Sequence, residues 1–249
     1  MKPMLAKKMT PGNVRFPCFV QPKIDGYRCL FDGVVARSRS GRPFLPHVQQ
    51  LLTGMAVPEG CVRDGELALP PEYPFEDLQS AVAGGGPLAR KLAMETFDVI
   101  TPEPMPFADR RTLVPDLVET YYVTSETQME NRLDAFLAAG YEGLIARNPK
   151  APYVRGRTDA LLKYKRFEDA EFPVVGVTEA GGKDAGTAIL HCRTEGGRIF
   201  AVKPEGSREH RQRLWRRRSC YLGRRYTVMF QGRTRAGVPR FATGKGFAA

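Results

Sequence analysis

Apolar and polar positions alternate through much of residues 17–70. "CFVQPKID", "RCLFDG", "VVARSRSG" and "CVRDGELAL" each read as a short strand, with Gly and Asp marking the turns between them. Helical spacing replaces this alternation over 46–53 ("PHVQQLLT") and 76–83, each stretch ended by Gly. "AMETFDVI" (93–100) returns to a strand pattern. "TSETQMENRLDAFLAAG" (124–140) opens on a Ser or Thr cap and puts Met129, Leu133, Phe136 and Leu137 on one face, which predicts a helix closed by Gly140. Two apolar runs follow, "EGLIAR" (142–147) and "ALLKYKRF" (160–167). Several strands, few helices and turns at short intervals predict an α+β domain built on antiparallel sheets with flanking helices.

The pattern changes after Phe167. "EFPVVGVTEAGG", "TAILHCRTEGGRIFAV", "RRYTVMFQG" and "VPRFATGKGF" predict about five strands, with an arginine-rich helical stretch (207–219) among them. A five-strand barrel with an inserted helix is the pattern of an OB-fold. The acidic segment "EDAE" (168–171) is read as the hinge, giving domains at 1–167 and 168–249. The sequence shows no internal repeat and no low-complexity segment.

Composition narrows the class. The chain has 249 residues, 42% hydrophobic and 26% charged, a globular balance. No apolar run reaches the roughly 18–20 residues of a membrane span, and "MKPMLAKKMTPG" lacks an apolar signal core. No membrane association is expected. Five cysteines without CxxC spacing argue for reduced thiols in a cytosol-like compartment and against a zinc cluster or disulfide framework. The net charge of +11 is uneven: residues 1–167 carry 22 basic and 19 acidic side chains, residues 168–249 carry 16 and 8. So basic a second segment expects a polyanion, most simply nucleic acid.

Candidate chemistry sits in "VQPKIDGYRCLF" (20–31), where a lone lysine ends a strand just before an acidic turn. K-x-D-G alone is a weak signal. Its weight comes from an ordered series: "SRSG" (38–41), "DGEL" (64–67), "TFDVI" (96–100), "EGLIAR" (142–147) and "LLKYK" (161–165), each at the end of a predicted strand. With these six motifs the chain resembles the covalent nucleotidyltransferase superfamily and, within it, the small ATP-dependent DNA ligases of phages and viruses. The match runs over essentially the whole chain, a nucleotidyltransferase domain followed by an OB domain.

The resemblance implies a monomer that seals nicks in double-stranded DNA with ATP and Mg²⁺, or Mn²⁺ in its place, in the cytoplasm (the host's, if phage-encoded). Lys23 is then the nucleophile that takes AMP, and an attacking amine must be unprotonated, which needs desolvation or nearby positive charge. Asp25 assists the 3′-hydroxyl step or binds metal, or it simply forms the turn before Gly26, where glycine tolerates positive φ. Arg28 and Arg39 match phosphate clamps. Glu66 engages ribose or metal with Asp64 in support, and Glu142 is the best candidate for a Mg²⁺ ligand. Phe97 stacks on adenine, unless it is an ordinary core phenylalanine, and Gln21 is a candidate for adenine recognition. Lys163 and Lys165 project from one strand face toward the α-phosphate. Arg157 matches an arginine near the phosphate site. In the second domain Arg240 and Lys245 of "GVPRFATGKGF" orient pyrophosphate, and Arg216, Arg217 and Arg218 neutralise DNA phosphates. The last motif departs from the family pattern by ending "GFAA" rather than in arginine.

Two other readings stay open. An RNA ligase or an mRNA-capping guanylyltransferase shares the lysine and carboxylates, although capping relatives more often carry Asp in place of Glu142. A non-catalytic nucleic-acid-binding protein, an OB module on an inert platform, would not need the catalytic side chains.

Overall fold

A computed structural model describes residues 2–248. The chain divides into two compact units, residues 1–165 and 166–249. The first carries two sheets. One has the order β1-β9-β8-β2-β7, from Met4–Lys8 (β1), Cys18–Lys23 (β2), Tyr121–Val123 (β7), Gly143–Arg147 (β8) and Gly156–Tyr164 (β9). The other, β4-β3-β5-β6, is antiparallel throughout and comprises Tyr27–Phe31 (β3), Ala36–Ser38 (β4), Val62–Ala68 (β5) and Ala93–Ile100 (β6). In the first sheet only β1 and β9 run parallel.

Each sheet packs one face against helices. Helix α4 (Glu126–Ala138) sets Met129, Leu133 and Phe136 against Val20, Leu144, Ala146 and Leu162. Its cap is Ser125, whose side chain accepts from the Gln128 N–H, and Gly140 at φ +89 ends it. The second sheet packs Cys29, Phe31 and Leu67 against α1 (Pro46–Leu51) and α2 (Phe75–Gly84). Strand alternation therefore leaves Gln21, Lys23, Ile145 and Lys163 on the face of the first sheet away from α4. A short helix, α3 (Phe107–Arg110), follows β6.

The second unit is a five-stranded antiparallel sheet, order β12-β11-β10-β13-β14. Its strands are Glu168–Glu179 (β10), Ala188–Arg193 (β11), Ile199–Val202 (β12), Arg225–Phe230 (β13) and Thr243–Phe247 (β14). Val174, Leu190, Cys192, Val202, Val228 and Phe230 form its core. An isolated parallel bridge joins Lys203 to Thr243, and the Gly244 N–H donates to the Lys203 carbonyl at 3.1 Å, linking the two outer strands. Helix α5 (Arg208–Arg216), capped by Ser207, holds most of the arginine-rich stretch.

Several expectations change. The acidic segment 168–171 opens β10 and pairs with Phe230 through Thr227 of β13, with Glu168, Asp169 and Glu171 exposed, and the two units part at 165/166, just before it. The strand predicted over 34–41 shrinks to Ala36–Ser38, since the Ser38–Gly41 turn takes its second half. Three elements went unread, β1, α3 and β7, each too short to carry a period. Among the described residues, no helix is long and apolar enough to cross a membrane.

Candidate active site

Strand β2 delivers Lys23 at its last position. β7 pairs only with Cys18–Val20, so beyond Val20 that side of β2 is an edge and tolerates Pro22. On the other side Lys23 is opposite Gly143 of β8, and the Glu142 N–H donates to the Lys23 carbonyl at 3.0 Å. The Lys23 ammonium is bonded to one oxygen of Glu142, and the Lys165 ammonium holds the other. The Glu142 side chain is 7% exposed, so one buried carboxylate serves two lysines. Gly143 makes this possible: a Cβ there would sit 2.3 Å from the Tyr164 carbonyl. Only glycine lets β8 and β9 approach closely enough for Lys165 to reach Glu142.

Gly26 serves the same purpose across the turn. It is absent from the positive-φ residues, contrary to the turn argument; a Cβ at Gly26 would lie 2.4 Å from the Leu67 carbonyl and 2.5 Å from Glu66 Cγ. Close passage of β5, rather than backbone handedness, requires the glycine.

A cavity of about 650 Å³ opens beside Lys23. Residues from both sheets line it: Gln21, Arg28, Arg39, Glu66, Phe97, Arg157 and Lys163 among those expected, with Arg147 in addition. Burial, and then the charges of Lys23, Arg157 and Arg39, lower the pKa of Lys163. Cations crowded this way favour an anion among them. Arg157 donates from Nη1 to the Ala6 carbonyl at 3.0 Å. Asp25 lies in the turn after β2 and acts electrostatically on Glu66.

Glu66 faces Arg28 across the β3–β5 pair. Burial raises its carboxyl from an ordinary 4.5 to about 7, against the lowering pull of Arg28 and Lys23 and with a further upward push from Asp64 and Asp25. The native state therefore keeps a proton that the unfolded chain has lost between those values. Stability from this group is full below pH 4.5, falls as pH rises toward 7, and then levels. Glu66→Gln lacks the effect, so its melting temperature should gain on wild type as pH goes from 5 to 7. A pH-independent difference between the two melting curves would contradict this.

Two residues have partners the sequence did not predict. Gln21 is 1% exposed, and its amide is fully engaged: Nε2 donates to the Phe97 carbonyl and to Thr120 Oγ1, both at 3.0 Å, and Oε1 accepts from Arg147. Its side chain braces β2 against β6 and has no donor left for a base. Arg28 aims its fork at Asp64, at 2.5 and 2.6 Å, while lining the cavity, and its guanidinium carbon stands 4.6 Å from the Phe97 ring centre.

Sequence reasoning missed the support beneath Phe97. Asp98, fully buried, accepts from Arg110 Nε and Nη2 (2.9 and 3.0 Å), from Arg147 Nη1 (2.7 Å) and from the Val99 N–H (2.8 Å). Arg147 stands 5.4 Å from the Phe97 ring centre and 4.7 Å from that of Phe107. Both Asp98 and Arg147 fall inside quoted motifs, "TFDVI" and "EGLIAR"; a charged residue in an apolar run was the available signal.

The remaining candidates lie in the second unit. Arg216, Arg217 and Arg218 are exposed at the end of α5, with Arg218 stacked 4.4 Å from the Trp215 ring. Arg240 stacks 5.2 Å from the Phe241 ring, and Lys245 pairs with Asp169 at 2.6 Å.

The site is thus a strand-end lysine in a cationic cavity, with a carboxylate on its amine. The sequence model of the family described as ATP dependent DNA ligase domain matches residues 3–165, well over half of the chain, and the chain belongs to that family. It is 26% identical over 238 residues to DNA ligase C1 of Mycolicibacterium smegmatis, across 81% of this chain and 67% of that protein. To a DNA ligase of Haemophilus influenzae it is 28% identical over 233 residues, across 89% and 83%. A solved structure from a structure-function study of Lig E DNA ligases superposes with a TM-score of 0.80 at 27% identity, across 100% of this chain and 99% of that one. The chain spans about two thirds of the length of the mycobacterial relatives it matches.

Proposed function

We propose that this chain is an ATP-dependent DNA ligase that seals nicks in duplex DNA through a lysyl-AMP intermediate on Lys23. The observation that carries the reading is the amine of Lys23, held by Glu142 at the wall of a cavity that Lys163, Arg39 and Arg157 make strongly cationic. The triphosphate of ATP lies among those cations, where guanidinium forks meet phosphate oxygens. Lys23 passes a proton to the Glu142 carboxylate that holds it and attacks the α-phosphorus. An N–P bond forms, the α–β anhydride bond breaks, and pyrophosphate leaves with the electron pair. AMP then passes to the 5′-phosphate of the nick, and the 3′-hydroxyl displaces it to form the phosphodiester. Lys163 and Lys165 stabilise charge that develops on phosphate oxygens, and Phe97 forms the wall for the base.

Among the described residues no three His, Cys, Asp or Glu side chains gather as a ligand set. The donors nevertheless suit Mg²⁺, which takes one or two carboxylates and completes its shell with substrate phosphate and water. Glu66 and Glu142 are the residues that would hold it, Glu142 only as Lys23 or Lys165 releases one of its two engaged oxygens. The ion supplies charge neutralisation to the phosphates.

The second unit is read as an OB barrel closed at the Lys203–Thr243 bridge. Arg240 and Lys245 are the residues of this unit that would meet pyrophosphate. Lys245 leaves Asp169 at little cost, since a pair with both side chains over 40% exposed is weak. The protein acts as a monomer in a cytoplasm-like, reducing compartment, as its five free cysteines favour.

Incubation with α-labelled ATP, then with a nicked duplex, tests the reading. An acid-labile adduct should form on Lys23 and disappear as the nick is sealed; labelling by GTP instead, or sealing of RNA alone, would replace it with a neighbour in the superfamily. Neutralising Arg216, Arg217 and Arg218 together should weaken DNA binding at every sequence and lower the log–log salt slope by roughly 2–3. An unchanged slope in a salt titration would show that those arginines do not meet the duplex.

A further inference from the structure

Four groups close a ring of hydrogen bonds at the cavity. The Met4 N–H donates to the Tyr153 hydroxyl at 2.8 Å, and that hydroxyl donates to Asp64 Oδ2 at 2.5 Å. Asp64 also accepts from Arg28 Nε and Nη2, and Nη2 reaches the Met4 carbonyl at 2.9 Å. Asp64 is fully buried, with both oxygens occupied. Arg28 lines the cavity, and Nη1 is its one arm without a hydrogen bond among the described residues.

Tyr153 comes from the segment between β8 and β9, outside every motif read in the sequence. Its ring packs near the Arg110 guanidinium, 5.6 Å from ring centre to carbon, a contact phenylalanine would make equally. The hydroxyl is what needs explaining. It has one proton, and because its oxygen accepts from Met4, that proton is aimed at Asp64. Burial, then the Asp64 charge, raises the phenol above its ordinary range, so it stays a donor.

We infer that Tyr153 is a positioning residue for nucleotide activation: its hydroxyl fixes the Asp64 carboxylate, and Asp64 in turn fixes the Arg28 guanidinium so that Nη1 meets the bound nucleotide. The inference rests on Lys23 being the residue that takes AMP. A carboxylate held only by Arg28 can turn with it; one also held by a fixed phenol cannot. Met4, through both its N–H and its carbonyl, ties this geometry to β1, whose Leu5 and Ala6 form part of the cavity wall.

The test is single-turnover labelling of the full chain by α-labelled ATP in a double-mutant cycle. Tyr153→Phe should label Lys23 on the order of tenfold more slowly than wild type at saturating ATP, the scale of one hydrogen bond to a charged group. Combined with Arg28→Lys, it should slow labelling no further than Arg28→Lys alone, since Tyr153 acts only through Arg28. Asp64→Asn, a second route to the same loosening, should show the same non-additivity. Wild-type labelling by Tyr153→Phe, or effects that multiply in the double variant, would overturn the inference while leaving the Lys23 assignment intact. No label on the wild-type chain would overturn that assignment and the inference with it.

Discussion

Lys23→Ala should form no labelled adduct with ATP, and sealing of an ordinary nick should fall by ~10⁴-fold or more, as for removal of other covalent nucleophiles. The expectation follows from geometry. Lys23 is the strand-end amine at the cavity, and the neighbouring lysines have other placements: Lys165 on Glu142, Lys163 on β9, with β8 between it and β2. The variant should fold, because Lys23 is 21% exposed and Glu142 keeps Lys165 as its counter-ion. A nick that already carries AMP on its 5′-phosphate needs no lysine nucleophile, so its sealing should persist. A gel assay on both nicks checks this; normal sealing of the ordinary nick by Lys23→Ala would end the covalent account.

The second large effect concerns stability. Asp98→Ala removes the one carboxylate shared by Arg110 and Arg147, which are 1% and 4% exposed. Two guanidiniums would then be buried without a counter-charge, at a cost of about 3–5 kcal/mol. For a unit this size that lowers the melting temperature by roughly 10 °C. Arg110 also donates to the Met105 and Ala151 carbonyls, so the segments before α3 and after β8 should loosen together. Thermal denaturation followed by circular dichroism measures it. A shift of only one or two degrees would mean that water compensates the arginines.

What the sequence made legible was chemistry held in short motifs. Lys23, Glu66, Glu142 and Lys163 could be named because six short motifs in order resemble those of a known family, in which these positions carry the chemistry. The partners of those residues were not legible. Arg147 lies 126 positions from Gln21 and 49 from Asp98, and no local pattern encodes pairings at that range. Gln21 looked available for a base for the same reason; its side chain is taken up by Phe97, Thr120 and Arg147, all distant in the chain. The acidic run 168–171 was read as the boundary; the units part at 165/166, and the run itself opens a strand with Glu168, Asp169 and Glu171 in solvent.

Gly143 limits how this cleft could be redesigned. Any substituent there collides with the Tyr164 carbonyl, and φ of +156° is also unfavourable for other residues. An engineer reshaping this cavity can vary Arg39, whose side chain is exposed, whereas Phe97 is held between the Arg28 and Arg147 guanidiniums. The separation between carboxylate and amines is set by backbone contact and has no side chain through which to adjust it.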